Sequence, residues 1–253
     1  VAELDRALGT GARIVAVSAV QYKTGLRMPL AEIAALAHER GAEVFVDAIQ
    51  ALGATTVDVS VGIDYLSVGS HKHLMGPEGA GFLYVARRCA NALEPRLAGW
   101  LGHENPVAFL VGDEPRLRYD NPLKSGAQAF ETGTSNVIGF AALDVSLGLI
   151  RQLGVPAVHS HVQGYLDVLE KGLIARGFES RRGSVDVLRS TLLGVQVPAD
   201  VRLSQLALAL RNRGVVCNTP DGMMRFAPHW PNSQDEVPAV LDAVDEALAE
   251  LRA

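Results

Sequence analysis

The sequence predicts an α/β chain: a mostly parallel sheet comes first and a smaller α+β unit follows. Three features carry this expectation. Short apolar runs rich in β-branched residues alternate with helical patterns through the first half of the chain. Those runs end in polar residues, as strands do when their carboxyl ends face a ligand crevice. From about residue 140 onward the order changes to helix, strand, helix, strand, strand, helix. The division expected is therefore 1–140 for the sheet unit and 141–253 for the smaller one.

Each element has its own signal. Val1 to Leu8 carries Glu3, Asp5 and Arg6 among apolar residues and reads as a helix, not a secretory leader. Arg13 to Val20 (RIVAVSAV) reads as a buried strand. Pro29 opens a helix in which Leu30, Ile33, Ala34 and Ala37 keep the helical period, and Gly41 ends it. Glu43 to Asp47 (EVFVD) is a second buried strand, so the first pair is parallel with a crossover. Asp64 to Gly69 is the next strand and runs into Ser70-His71-Lys72. Gly76-Pro77-Glu78-Gly79 turns the chain, and Gly81 to Ala86 is a returning strand.

Residues 89–130, with Gly99, Trp100, Gly102 and several prolines, read as irregular. Asn136 to Leu153 and Val155 to Arg176 follow as helices. Val187 to Val197 reads as a strand, Leu203 to Arg213 as a helix, Gly214 to Cys217 as a strand start, and Met223 to Ala227 as a short strand. The last helix opens on a capping-box pattern, Ser233 with Glu236. Its apolar face is Val237, Val240, Leu241, Val244, Leu248 and Leu251.

Composition narrows the function classes. Hydrophobic residues are 48% and charged residues 20%, ordinary for a soluble globular protein. A net charge of −5 with no dense basic patch excludes nucleic acid as the expected partner. No apolar run reaches the ~18 residues a membrane helix needs. The two cysteines, Cys89 and Cys217, fit no metal spacing and read as reduced thiols of a cytoplasmic protein.

Lys72 stands apart among the four lysines. Lys171 lies in a charged helical stretch, Lys124 in a loop, and Lys23 in the polar segment after the first strand. Lys72 follows a buried strand directly, between two histidines and before a glycine-rich turn. A lysine held at a strand end in a partly dry site loses its proton more readily and can act as a nucleophile. A plain loop lysine fits the same position. Asp47 ends another apolar strand and can face the same crevice or cap the residues after it; Gln50 can add a donor. The pairs His71/His73 and His159/His161 raise the question of a metal. On a helix, residues i and i+2 diverge by about 200°, so His159 and His161 do not converge; His71 and His73 converge only on an extended segment and no fixed pattern of carboxylates accompanies them, so no metal is expected.

Taken together, VDAIQALGATTVDV, DYLSVGSHKHLMGPEGAGFLYV, FETGTSN and MMRFAPHWPNSQDEV resemble class V aminotransferases, the group that includes cysteine desulfurases and isopenicillin N epimerase-like proteins. The similarity runs in order along essentially the whole chain. It implies the large cofactor-binding domain of a fold type I pyridoxal-phosphate enzyme, N-terminally incomplete, plus a small C-terminal domain. It also implies pyridoxal 5'-phosphate as cofactor, an amino acid as substrate and a homodimer. By resemblance, Lys72 is the lysine that binds the cofactor covalently and then moves protons at the substrate Cα. Asp47 pairs with the pyridine nitrogen and Gln50 reaches the phenolic oxygen. Ser70 and His71 lie near the phosphate, and Thr134 reaches the phosphate of the neighbouring subunit. Arg225 clamps the substrate carboxylate, a task that suits a planar guanidinium.

The sequence also departs from the family pattern. Gly69 stands where many relatives have serine, and Ala19 follows Ser18 where relatives often have asparagine, so a substrate contact is either lost or moved to Gln21. The segment Asn218 to Met224 lacks the nucleophilic cysteine of desulfurases, and Cys217 sits at an expected strand end. Relatives carry a substantial segment before the strand near Arg13 that these 253 residues do not contain. Three readings follow: an enzyme acting at Cα by transamination, epimerisation or lyase chemistry of the C–S lyase or desulfurase kind; a non-catalytic remnant serving as a binding module; and, more distantly, a metal-dependent hydrolase.

Overall fold

The computed structural model describes residues 2–94, 96–111 and 120–253. After helix α1 (Ala2–Leu8) come strand β1 (Ile14–Ser18), helix α2 (Leu30–Glu39), and strands β2 (Glu43–Asp47), β3 (Tyr65–Gly69) and β4 (Gly81–Val85). The four strands form one sheet in sequence order. β1, β2 and β3 are parallel, with Ser18 opposite Asp47 and Asp47 opposite Ser67. β4 returns antiparallel to β3, Gly69 facing Gly81. The mixed, mostly parallel sheet read from the sequence is thus present, and the polar residues that end its parallel strands lie side by side at one edge.

The alternation of the strands decides what packs where. In β2, Val44 and Val46 are fully buried while Glu43, Phe45 and Asp47 are half-buried. The buried pair meets Ala34 and Ala37 of α2, together with Leu8, Ile63 and Leu66. α2 ends at Arg40, and Gly41 takes the left-handed conformation (φ 72°) that lets the chain leave the helix.

The second half opens with two short helices, α3 (Arg87–Ala90) and α4 (Ala108–Val111), set in the irregular region expected there. Part of that region, Pro95 and residues 112–119, lies outside the described residues. Helix α5 (Val137–Leu153) spans the boundary read after residue 140, and its Leu143 and Ile150 pack with Val68, Leu74 and Ala80. Helix α6 (Val155–Ala175) follows, then β5 (Glu179–Ser180), β6 (Leu193–Gln196), α7 (Leu203–Asn212), β7 (Met224–Phe226) and α8 (Val237–Arg252). β5, β6 and β7 form a three-stranded antiparallel sheet. Leu166, Leu169 and Leu173 of α6, Leu206 and Leu210 of α7, and Val244 of α8 are fully buried in one core with β6 and β7. Each such side chain contributes about 1.5–3 kcal/mol relative to exposure.

Three local expectations are corrected. The strand read over 187–197 is a strand only at Leu193–Gln196, and Asp186–Leu188 is a 3-10 turn. The polar groups before it pair elsewhere. Arg27 N–H donates to the Leu188 carbonyl at 2.9 Å, and Arg189 bridges to Leu26. Ser190 Oγ donates to the Gly25 carbonyl at 2.5 Å. Gly214–Cys217 starts no strand: the pairing there is a single bridge between Asn218 and Arg225. β5, two residues long, is too short for any periodicity to reveal. The capping box is present, with Ser233 N–H donating to Glu236 Oε1 at 3.2 Å, but it opens a 3-10 turn before α8 begins.

Candidate functional site

The edge formed by the carboxyl ends of β1–β3 gathers the residues singled out above. Asp47, the last residue of β2, is half-buried. Its Oδ1 accepts the Ile49 N–H at 3.0 Å, a local turn bond; no helix begins there for it to cap. Among the described residues its other oxygen accepts no hydrogen bond, so a second role stays open. Gln50, three residues on, is only 5% exposed.

Residues 70–80 connect β3 to β4 and carry the lysine. Ser70 is fully buried. Its hydroxyl donates to the Pro77 carbonyl at 2.5 Å, and its carbonyl accepts the Gly76 N–H at 2.9 Å, so it folds this loop back on itself. The His71 ring lies over the end of β3. A Cβ placed on Gly69 would come within 3.2 Å of that ring and 3.3 Å of Ile49, a physical reason for glycine where relatives carry serine.

Lys72 reaches solvent, and its amine is held below the ordinary lysine value. Partial burial is the largest cause, followed by the positive charge of Arg225; Asp47 works in the opposite direction. Both charges therefore lie near enough to act on the lysine, although Arg225 comes from the far end of the chain. The next residue, His73, is 6% exposed. Burial first, then His229, Lys72 and Arg225, push it down to about 4, so it is neutral at pH 7.

Arg225, in the middle of β7, is partly buried, and burial lowers its pKa as well. Its Nη1 donates to the Tyr22 carbonyl at 2.7 Å, and the guanidinium lies 5.3 Å from the Tyr22 ring centroid. Its Nε is buried without a partner. Nη2 makes no hydrogen bond among the described residues, so the Nε/Nη2 edge is unpartnered, with Nε itself buried. That edge is the one a carboxylate grips bidentately. The Gln21 suggested as a displaced substrate contact is exposed at the foot of the same loop, its N–H donating to Leu26 at 2.8 Å.

Thr134 lies on an exposed stretch before α5. Two residues later Asn136 caps that helix, its Oδ1 accepting Gly139 N–H at 3.0 Å. A Cβ on Gly79 would meet Asn136 at 3.2 Å, which places this stretch beside the glycine turn after Lys72. His159 and His161 diverge: one contacts the Ala54 carbonyl at 3.2 Å, the other that of Asn232 at 2.8 Å. No group of three metal-ligating side chains occurs among the described residues.

The sequence did not single out Tyr22, Met75, His229 or Trp230. His229 and Trp230 were within a quoted motif, but without coordinates nothing separates them from the prolines around them.

The mixed α/β fold thus sets a lysine just past one strand end, an aspartate at the end of the neighbouring strand and an arginine with an unpartnered Nε/Nη2 edge in one region. The chain matches aminotransferase class-V over residues 1–224, and it belongs to that family. It is 28% identical over 234 residues to the uncharacterized aminotransferase YcbU of Bacillus subtilis (strain 168), covering 91% of this chain and 58% of that protein. It is 31% identical over 159 residues to a probable cysteine desulfurase of Methanothermobacter thermautotrophicus, covering 62% of this chain and 37% of the relative. It shares the fold of the solved apo cysteine desulfurase of Thermococcus onnurineus NA1, with a TM-score of 0.85 at 23% identity, over 98% of this chain and 63% of that one. The chain thus spans less than two thirds of each.

Proposed function

We propose that this chain supplies the lysine- and arginine-bearing part of a pyridoxal-phosphate enzyme acting at the Cα of an amino acid. The observation that carries the reading is the meeting of Lys72, Asp47 and Arg225 at one edge, close enough for the two other charges to shift the lysine amine in opposite directions. Family membership supports it. The residues fit the group: Lys72 is a lysine of depressed basicity, Asp47 has an unused oxygen, and Arg225 has an unused edge.

When bound, pyridoxal phosphate supplies an electron sink for the bond broken at Cα. Lys72 would hold the cofactor, and its Nζ, once displaced by the substrate amine, would take or return the Cα proton. Asp47 keeps the pyridine nitrogen protonated. Gln50 would face the phenolic oxygen, His71 would serve the phosphate with Ser70, whose hydroxyl is spent on the Pro77 carbonyl, holding the loop behind it, and Thr134 would serve the phosphate of a partner subunit. Arg225 holds the substrate carboxylate through Nε and Nη2. Residues 1–140 form part of the cofactor domain and 141–253 the small domain.

Transamination, epimerisation and elimination share these steps. Desulfuration through a cysteine persulfide is disfavoured here. Cys217 is half-buried, and burial pushes its thiol up to about 11, whereas a nucleophilic thiol needs the opposite.

The test is addition of pyridoxal phosphate to the full chain, borohydride reduction and peptide mapping. Label on Lys72, lost in Lys72→Ala with the fold retained, is the expected result; label retained in that variant refutes the assignment. A homodimer is part of the proposal. Val137 (71% exposed), Ile138 (85%) and Val145 (65%) give α5 an apolar outer face that supports it. Light scattering that finds a monomer at working concentration removes that part. Two free thiols support a cytoplasmic location, which fractionation of the source cells checks.

A further inference from the structure

The turn that carries Lys72 is held by groups that have no role in the reading above. Met75 N–H donates to the Lys72 carbonyl at 2.9 Å and closes it. Met75 has φ 55°, a left-handed conformation that costs a residue with a Cβ free energy and persists where the surroundings over-determine it. Three long-range hydrogen bonds do so. His229 Nε2 lies 2.9 Å from the His73 carbonyl, Trp230 Nε1 donates to Met75 Sδ at 3.0 Å, and Ser146 Oγ donates to the Met75 carbonyl at 2.9 Å.

The histidine is set for this contact. Its Nδ1 accepts the Trp230 N–H at 2.7 Å, which leaves the ring proton on Nε2, facing the carbonyl. The His73 and His229 rings lie tilted against each other, centroids 5.4 Å apart and planes at 32°. On the other side Gly53 (φ 100°) lets the chain approach: a Cβ there would stand 2.2 Å from the same carbonyl oxygen. His229 and Trp230 follow shortly after Arg225, just beyond the end of β7.

We propose that His229 and Trp230 are positioning residues. They clasp the Lys72–Met75 turn to the segment that carries Arg225 and so fix the span between the lysine amine and the carboxylate-binding guanidinium. This rests on the reading of Lys72 and Arg225 given above. The clasp spans both halves of the chain, so its loss frees the turn without touching any residue that contacts a ligand.

The test uses the full chain and three variants. His229→Phe keeps a ring over His73 and removes the N–H. His229→Gln restores a donor. Trp230→Phe keeps a six-membered aromatic ring and removes the indole N–H with the rest of the five-membered ring, so it should fold. Hydrogen exchange by mass spectrometry reads the Met75 amide, and borohydride trapping reads the rate of pyridoxal phosphate attachment at Lys72. His229→Phe should speed Met75 exchange about tenfold, near the upper end of what one lost hydrogen bond is worth. It should also slow attachment, while peptides from α6 and α8 exchange as before. His229→Gln should recover most of both effects, and Trp230→Phe should give a smaller change of the same sign. Unchanged Met75 exchange in both His229→Phe and Trp230→Phe overturns the proposal, as does an equal rise in every peptide, the mark of a merely structural role. If the unaltered chain takes no label on Lys72, the cofactor reading falls instead, and the exchange comparison, which needs no cofactor, still decides whether the clasp exists.

Discussion

Asp47 and Asp64 flank the same stretch of sheet, one at the carboxyl end of β2 and the other just before the amino end of β3, yet their surroundings are opposite. The side chain of Asp64 is 3% exposed and accepts four donors. Val44 N–H and His38 Nε2 reach Oδ2 at 2.8 and 2.7 Å, and Arg88 Nε and Cys89 Sγ reach Oδ1 at 2.8 and 3.0 Å. Asp47 accepts one, from Ile49. A carboxylate whose lone pairs are all used is a structural staple, here joining β2, β3, α2 and α3. A carboxylate with a free oxygen at the ligand edge of a parallel sheet is available for chemistry. The same residue type thus takes two roles according to which end of the strand it occupies.

The largest effect should come from the open aspartate. Asp47→Ala removes a single turn bond, so it should cost no more than about 1 kcal/mol of stability. In the full enzyme it should reduce turnover by about a thousandfold, since about 4 kcal/mol of transition-state stabilisation corresponds to that factor. Urea unfolding and steady-state kinetics on the same preparation give both numbers. A large stability loss with little change in turnover would reverse the assignment of the two aspartates.

The saturated aspartate should show the opposite split. Asp64→Ala strands a buried backbone N–H, a thiol and a guanidinium, and should cost about 3 kcal/mol. Its pH dependence follows from the same geometry. Burial raises the Asp64 pKa, but the hydrogen bonds from His38, Cys89 and Val44 and the charge of Arg88 outweigh it, so the carboxyl lies below its ordinary value of 3.8. A folded pKa below the unfolded one contributes stability that is present above pH 3.8 and lost as the pH falls through the folded value. Acid unfolding monitored by circular dichroism should therefore show a component below that pH that Asp64→Ala abolishes. An identical acid limb in both proteins rules out Asp64 as its source.

Much of the fold behind this contrast is legible in the sequence, and the limits are physical. β-branched runs and the 3.6-residue period locate β1–β4, α2 and α5–α8, because each element buries one face against a continuous core. Asp47 and Lys72 stood out because ligands of a parallel sheet lie beyond the carboxyl ends of its strands. The strand read over 187–197 fails because Arg189 and Ser190 pair across the chain with residues 25–26, a non-local choice that no local pattern records. Asp64 was read only as the start of a strand: its partners His38, Val44, Arg88 and Cys89 are scattered in sequence. The His229 contact with the His73 carbonyl went unseen for the same reason.

The smallest effect asks how many donors the staple needs. Arg88 is half exposed, and besides Asp64 it holds the Gly62 carbonyl at 2.9 Å through Nη2. Arg88→Gln leaves Val44 N–H, His38 and the Cys89 thiol on the carboxylate, and water can reach the vacated side. The loss should be about 0.5–1 kcal/mol, the range of a solvent-screened pair and well below that of the carboxylate itself. Chemical denaturation of the single variants and of the Arg88→Gln, Asp64→Ala double variant measures the coupling directly. A coupling as large as the whole Asp64→Ala loss means that the arginine, not the set of four donors, makes Asp64 structural, and the distinction from Asp47 then rests on one salt bridge.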